Sequence, residues 1–385
     1  MNANINTVVD AAGEPALLAQ VERFAREVVA PGAIAWERER RIGREAVLGA
    51  ARLGLTRLEM PVADGGLGLP FSTKVRVTEL LGAADFAFAM SLVNTQNVAV
   101  KLNREAPAAV AARYVPGLMR GELLGCTALT EPGAGSDFSS IRTAATRVEG
   151  GWRLDGAKAW ITNAAEADVA LVYAQTAPGS GAKGIAGFVV DAHRAGFVRE
   201  PGFALAGQHA IGTGGFRLEG YLASDDEMLQ PPGKAFKAAL GSINGARTYI
   251  AAMSCGMTAE CLRIASEYGE RRETFGQPLA GHQGWRWRIA EAASELAACR
   301  MMVAHACALI DRGDDAQLAA AQAKLLATRM AERRIGELAQ AMGAEGLREQ
   351  YPFGRHLIGA RVANFVDGST EMLLERISAV MRRPA

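Results

Sequence analysis

The chain has 385 residues, too many for one small core, and its 49% hydrophobic and 22% charged residues are ordinary for a globular protein. A formal net charge of +1 leaves no basic excess to neutralise phosphates, which argues against nucleic acid or an acidic membrane surface as the main partner. Cys126, Cys255, Cys261, Cys299 and Cys307 are odd in number and contain no CxxC pair. They read as small buried residues in a reducing compartment, not as disulfides or a metal site.

The opening stretch MNANINTVVDAAGEPALLAQ has neither a basic n-region nor an apolar h-region. No uninterrupted apolar run approaches the roughly 18 residues of a membrane span. A cytoplasmic protein without membrane insertion is expected. From Pro15 the run ALLAQVERFAREVVA carries apolar residues at helical spacing, and PVADGGLGLP (61–70) reads as a loop by its Gly and Pro content. A second helical stretch follows from Ser72 through Leu102. Between Cys126 and about Ser224 come WRLDGAKAWIT, DVALVYAQT, GIAGFVVDA and GGFRLEGYLA, short β-branched or aromatic runs broken by Gly, Asp-Gly and Asn. They predict a compact antiparallel β-domain, with a hairpin turn at Asp155-Gly156. After Gly233 the three long Ala-rich runs 242–270, 282–311 and 315–343 predict a helical bundle. The fold class is therefore α+β and multi-domain: helical domain 1–125, antiparallel β-domain 126–229 and C-terminal four-helix bundle 230–385.

Five short motifs carry candidate chemistry. In TALTEPGAGSD (127–137), Gly133 and Gly135 permit close backbone approach, while Thr127, Thr130 and Ser136 offer hydroxyls for a polar heterocycle or a pyrophosphate. It lacks the third glycine of a dinucleotide fingerprint and the Lys-Ser/Thr of a P-loop. In KAWITNA, Trp160 and Thr162 would share a strand face and could meet one planar ligand. YGERRETFGQPLAGHQ brings Arg271 and Arg272 before Phe275-Gly276, and an arginine fork suits a pyrophosphate. AQAMGAEGL ends a helix at Gly343, and FVDGSTEM places Asp367 between two apolar residues and Gly368. Taken singly, each has an ordinary structural explanation: a tight turn, a core Trp, a charged helix end, a C-cap, and an N-cap at Asp367.

In order and spacing together, TEPGAGSD, WITN, R-x-TFG with a following Gln, Q-x-M-G and an acid-Gly-hydroxyl-hydroxyl near the end resemble the acyl-CoA dehydrogenase family. The resemblance runs along essentially the whole chain and includes GGLG at 65–68. It implies an FAD enzyme, usually a homotetramer (or dimer), that oxidises the Cα–Cβ bond of an acyl-CoA and passes electrons to an electron-transfer flavoprotein. By that resemblance Thr127, Leu129 and Thr130 line the flavin ring, and Gly135 and Ser136 adjoin it, Ser136 lying between flavin and thioester. Trp160 packs on the flavin and Thr162 bonds near its N5. Arg272, Phe275 and Gln283 of a neighbouring subunit hold the pyrophosphate and adenosine part, joined by Gln340 and Gly343. Ser369 and Glu371 touch the flavin; Asn244, Arg247 and Gly368 join Ser136 on the substrate. Asp367 falls on the base that removes the Cα proton while hydride leaves Cβ for flavin N5. Helical residues around Ser91 to Val98 are expected to line the acyl pocket.

The departures from the family pattern matter as much. Aspartate replaces the usual glutamate, shortening the arm by roughly 1.5 Å. Phe365 and Val366, if they wall the site, would raise the pKa of Asp367. Ile358-Gly359 replaces a usual Arg-Asp, Ala344 a glycine and Asn244 an acid, while Ala246 leaves the alternative base position empty. A short, branched, cyclic or polar acyl group is expected. Alternatives are a nitroalkane-oxidase-like flavoenzyme, an acyl-carrier-protein dehydrogenase, and a flavin-binding scaffold without activity.

Overall fold

The computed structural model describes residues 6–382. Residues 1–5, part of the stretch read above for a leader, lie outside the described residues. Six helices come first: α1 (Asn6–Phe24), α2 (Ala30–Glu39), α3 (Arg44–Arg52), α4 (Phe71–Ala84), α5 (Phe86–Glu105) and α6 (Ala108–Met119). The stretch expected as one helix from Ser72 to Leu102 is two. Asp85 leaves helical geometry and caps α5, its carboxylate accepting from the Phe88 N–H at 3.0 Å.

The middle of the chain supplies eight strands: β1 (Gly125–Ala128), β2 (Ala144–Val148), β3 (Gly151–Ile161), β4 (Val169–Gln175), β5 (Ile185–Asp191), β6 (Phe197–Arg199), β7 (Gly214–Ser224) and β8 (Met228–Gln230). They form one sheet ordered β6-β7-β3-β2-β4-β5-β8, with β1 paired to β4. Two expectations need correction. The sheet is mixed, because β1 runs parallel to β4 and β2 meets β4 in parallel at Ala144 and Gln175. Nor is Asp155-Gly156 a hairpin turn. Strand β3 runs through it, and Gly156 (φ 151°) marks a register shift against β7. A Cβ on Gly156 would stand 2.6 Å from the Thr143 Cα, so only glycine fits. The β2–β3 turn is at Glu149-Gly150, with Gly150 at φ 73°.

The C-terminal domain is helical: α7 (Ala235–Gly241), α8 (Ile243–Arg271), α9 (Gln283–Asp311), α10 (Gln317–Ala341), α11 (Phe353–Ala363) and α12 (Thr370–Met381). A two-residue hairpin, β9 (Glu273–Thr274) with β10 (Gln277–Pro278), joins α8 to α9. One continuous core joins both helical domains, with Val75, Leu81 and Phe86 packed among Ile250, Met253 and Met257. The sheet keeps its own core around Leu154, Val172, Phe188 and Phe216. All five cysteines are buried and free, as expected of packing residues. Helix α9 is long and apolar enough to cross a bilayer by length and composition alone, yet only 28% of its apolar window is buried within the chain.

Helices α4 and α8 approach closely enough that a Cβ on Gly256 would stand 2.1 Å from the Glu79 carbonyl oxygen. Gly256→Ala should therefore lower stability by about 1–3 kcal/mol through overpacking. Urea unfolding checks this: the midpoint falls while the slope stays constant.

Candidate active site

Between α11 and α12 the chain leaves helical geometry at Asp367 (φ 52°) and Gly368 (φ 98°), both left-handed. The cap of α12 is Ser369, whose hydroxyl accepts from the Met372 N–H at 3.4 Å; Asp367 does not cap it. Two cations hold the turn from behind. Lys324 on α10, fully buried, donates its Nζ to the Val366 carbonyl and, at 2.6 Å, to the Gly368 carbonyl. Arg247 on α8, also buried, donates its Nε to the Asp367 carbonyl at 3.3 Å. Three successive carbonyls thus face buried positive charge. Among the described residues the Asp367 N–H has no acceptor, so it is free to donate elsewhere.

Burial pushes the Asp367 carboxyl above its ordinary value, and the charges of Lys324 and Arg247 oppose this without cancelling it. Burial likewise brings the Lys324 ammonium down to about 8, against the opposing charge of Asp367. The expected wall differs. Phe365 is 63% exposed, with the Arg361 guanidinium 5.6 Å above its ring, so it does not desolvate Asp367. Val366 does pack against the core. Gly368 is required by its φ of 98°; a Cβ there would stand 3.3 Å from Arg247 Nη2, a tight contact relieved by a side-chain shift of a few tenths of an ångström. Asn244, in the first turn of α8, keeps its Oδ1 buried without a partner among the described residues.

A second cluster forms where β1 enters the glycine-rich loop. Glu131 accepts from the N–H groups of Arg142 (2.6 Å) and Thr143 (2.9 Å) and from Lys158 Nζ (2.8 Å). Lys158 also donates to the Leu129 carbonyl at 3.1 Å, and the Ala159 N–H donates to the Thr130 carbonyl at 3.1 Å. Burial pushes the Glu131 carboxyl up, but the Lys158 charge and these hydrogen bonds hold it below its ordinary value. Burial brings the Lys158 ammonium down to about 8. Leu129 and Thr130 are thereby tied to the strand that carries Trp160. The even strand alternation expected for Trp160 and Thr162 does not hold, because β3 bulges between Lys158 and Ile161 and Trp160 sits at φ 62°. The bulge turns the indole outward: Trp160 is 59% exposed and meets Phe203 edge-on at 4.8 Å. Nothing stands within 4 Å of a Cβ on Gly133, and Gly135 meets only the Thr130 methyl at 3.9 Å. An exposed indole beside an open glycine loop with Thr127, Thr130 and Ser136 suits a planar polar heterocycle.

The remaining expected residues gather elsewhere. Arg272 ends α8, Phe275 and Gly276 turn the β9–β10 hairpin with φ 52° and 78°, Gln283 opens α9, and Gln340 and Gly343 close α10. Trp285 ties this end together, donating its Nε1 to the Ala341 carbonyl at 3.1 Å. Phe275 is 99% exposed. Positions 247 and 271 lie about 36 Å apart along α8 at its helical rise, so this end cannot serve the Asp367 pocket of the same protomer. Ser369 and Glu371 lie beside Asp367, Glu371 exposed. The motifs gave no hint of Lys324, an ordinary lysine in an Ala-rich helix. Glu131 and Lys158 lay inside or beside the quoted motifs, and a lone Lys before a buried strand end was their available signal.

Known proteins share the three-part plan of the chain. Family models described as acyl-CoA dehydrogenase N-terminal, middle and C-terminal domains match residues 12–122, 126–221 and 233–382. An acyl-CoA dehydrogenase of Bacillus subtilis (strain 168) is 30% identical over 357 residues, 91% of this chain and 93% of that protein. The solved butyryl-CoA dehydrogenase from Megasphaera elsdenii superposes with a TM-score of 0.92 at 27% identity, over 96% of this chain and 98% of that one. A glutaryl-CoA dehydrogenase from Mycobacterium smegmatis, solved in complex with FADH2, superposes with a TM-score of 0.90 at 25% identity, over 96% and 94% of the two chains. The chain belongs to the acyl-CoA dehydrogenase family and is an oxidoreductase.

Removing one partner of the buried Glu131–Lys158 pair leaves an uncompensated charge. Lys158→Met should lower stability by about 3–5 kcal/mol, and Lys158→Met with Glu131→Met should regain most of that loss. Denaturant midpoints of the two variants measure it; equal losses in both would refute the pairing.

Proposed function

We propose that this enzyme carries out α,β-dehydrogenation of an acyl-CoA thioester, with Asp367 as the base that takes the Cα proton. The support is the Asp367 turn. A carboxylate whose basicity is raised by burial stands on a loop immobilised by Lys324 and Arg247, beside its own free N–H. That N–H is suited to hold the thioester oxygen as negative charge develops there during proton removal. Arg247 and Lys324 add positive potential at the same place, favouring the ionised base.

FAD fits the second cluster: Thr127, Leu129, Thr130, Gly135, Ser136, Trp160 and Thr162 would hold its ring, and when bound it accepts the hydride from Cβ. Ser369 and Glu371 would meet it from the side of Asp367. Arg272, Phe275, Gln283, Gln340 and Gly343 would hold its far end from a neighbouring protomer, consistent with their distance from Asp367 along α8. A homotetramer is further supported by α9, whose uncovered face exposes Trp287 and Met301. An electron-transfer flavoprotein is the natural acceptor, and the acyl group is short, branched, cyclic or polar.

Asp367→Asn should retain bound flavin and lose its anaerobic bleaching by acyl-CoA; a variant that still bleaches would sink the assignment of the base. Because Asp367 must be ionised to act and its pKa is raised, the rate should climb with pH above the ordinary carboxylate range. Lys324→Met removes a charge that lowers this pKa, so stopped-flow bleaching should show the acid limb moving to higher pH. A limb that stays put or moves down would contradict the role given to Lys324.

A further inference from the structure

Residues of α4, α5 and α8 and the loop before α4 form a polar cluster that the proton-transfer chemistry does not use. Lys74 on α4 is 3% exposed, and its Nζ donates to the Glu59 carboxylate and, at 2.7 Å, to Asn97 Oδ1 on α5. The Asn97 amide is spent at both ends, its Nδ2 donating to the Tyr249 hydroxyl at 3.3 Å. Tyr249 lies on α8 two residues past Arg247, and Lys74 Nζ stands 5.8 Å from its ring centroid. Burial and then the neighbouring Asp367 charge push the Tyr249 phenol well above its ordinary value, so it remains a proton donor. Asn97 falls within the α5 stretch expected to line the acyl pocket.

The donor count is uneven. An ammonium has three protons and Lys74 uses two; the Tyr249 hydroxyl accepts from Asn97, and its own proton meets no acceptor among the described residues. Two unused donors on neighbouring buried groups are costly unless something supplies an acceptor. Resting on the dehydrogenase reading above, we propose that Lys74 and Tyr249 hold an oxygen carried by the acyl tail beyond Cβ. The substrates are then thioesters of oxo- or hydroxy-substituted acids, not plain hydrocarbon chains.

Charge selects the kind of oxygen. The Lys74 cation is already compensated by Glu59, whose side chain is itself mostly covered. A carboxylate placed there would add a second buried negative charge beside Glu59 and near Asp367, which the unused donors do not balance. A neutral carbonyl or hydroxyl oxygen takes both protons without that cost.

The test uses the flavin-loaded enzyme and chain-length-matched CoA thioesters carrying a plain, an oxo, a hydroxy or a terminal carboxylate tail. The readout is the ratio of kcat/KM for oxo or hydroxy over plain tail, which cancels losses common to both substrates. Wild type should favour the neutral oxygenated tails by about tenfold or more, as a site built to pair a polar group rejects the analogue lacking it. Tyr249→Phe and Lys74→Met should each shrink that ratio by about tenfold. Tyr249→Phe stands in where loss of Lys74 leaves Glu59 uncompensated and unfolds the chain. An equal response to plain and oxygenated tails, or ratios untouched by Tyr249→Phe, overturns the inference while leaving the dehydrogenase reading intact. Preference for the carboxylate tail overturns the choice of a neutral oxygen. Failure of every thioester to bleach the flavin overturns the dehydrogenase reading and this inference with it.

Discussion

Everything at the active centre hangs on how the turn Val366-Asp367-Gly368 is held. Two consecutive left-handed residues are unfavourable for an L-residue at the first of them, by about 1–2 kcal/mol. The conformation persists because Lys324 bridges the carbonyls on either side of Asp367 while Arg247 takes the carbonyl between them. With three carbonyls drawn inward, the Asp367 backbone N–H is left without an acceptor among the described residues. The same cations favour the ionised carboxylate and so oppose the rise that burial gives its basicity. Both cations come from long helices, α8 and α10, whose packing therefore sets the turn.

That dependence explains the economy of the bundle. Helix α8 carries Arg247 and Tyr249 near its start and is capped by Arg272 at its end. The end that carries Arg272 and the exposed Phe275 is remote from the Asp367 turn of the same chain. In the middle domain the buried Glu131–Lys158 pair plays the part that Lys324 plays at Asp367: one interior cation fastens an irregular loop to a regular strand.

Much of this was legible in the linear chain. Three long helices lie where the Ala-rich periodic runs put them, and the strands follow the β-branched runs. What misled was any inference that assumed unbroken regularity. Strand alternation was expected to place Trp160 beside Thr162, but the bulge after Lys158 reverses that local order. Asp155-Gly156 has the composition of a turn and is a kink inside a strand, because the tight approach of Thr143 demands a glycine there. Phe365 was expected to cover Asp367, yet it stands in solvent under the Arg361 guanidinium.

The amino-acid order alone determined the helical–β–helical plan and the extent of the three long C-terminal helices, because these follow from periodicity, while the acid, glycine and arginine positions stood out only as candidates through the family resemblance. It could not determine what surrounds them. Lys324 meets the Asp367 turn across 42 and 44 residues of chain, and Arg247 across 120. Lys74, Asn97 and Tyr249 converge from three helices, Asn97 and Tyr249 being 152 residues apart. A lysine in an Ala-rich helix looks solvated until another helix buries it. Burial, pKa and the count of unused donors are properties of that packing, and only the tertiary structure decides them.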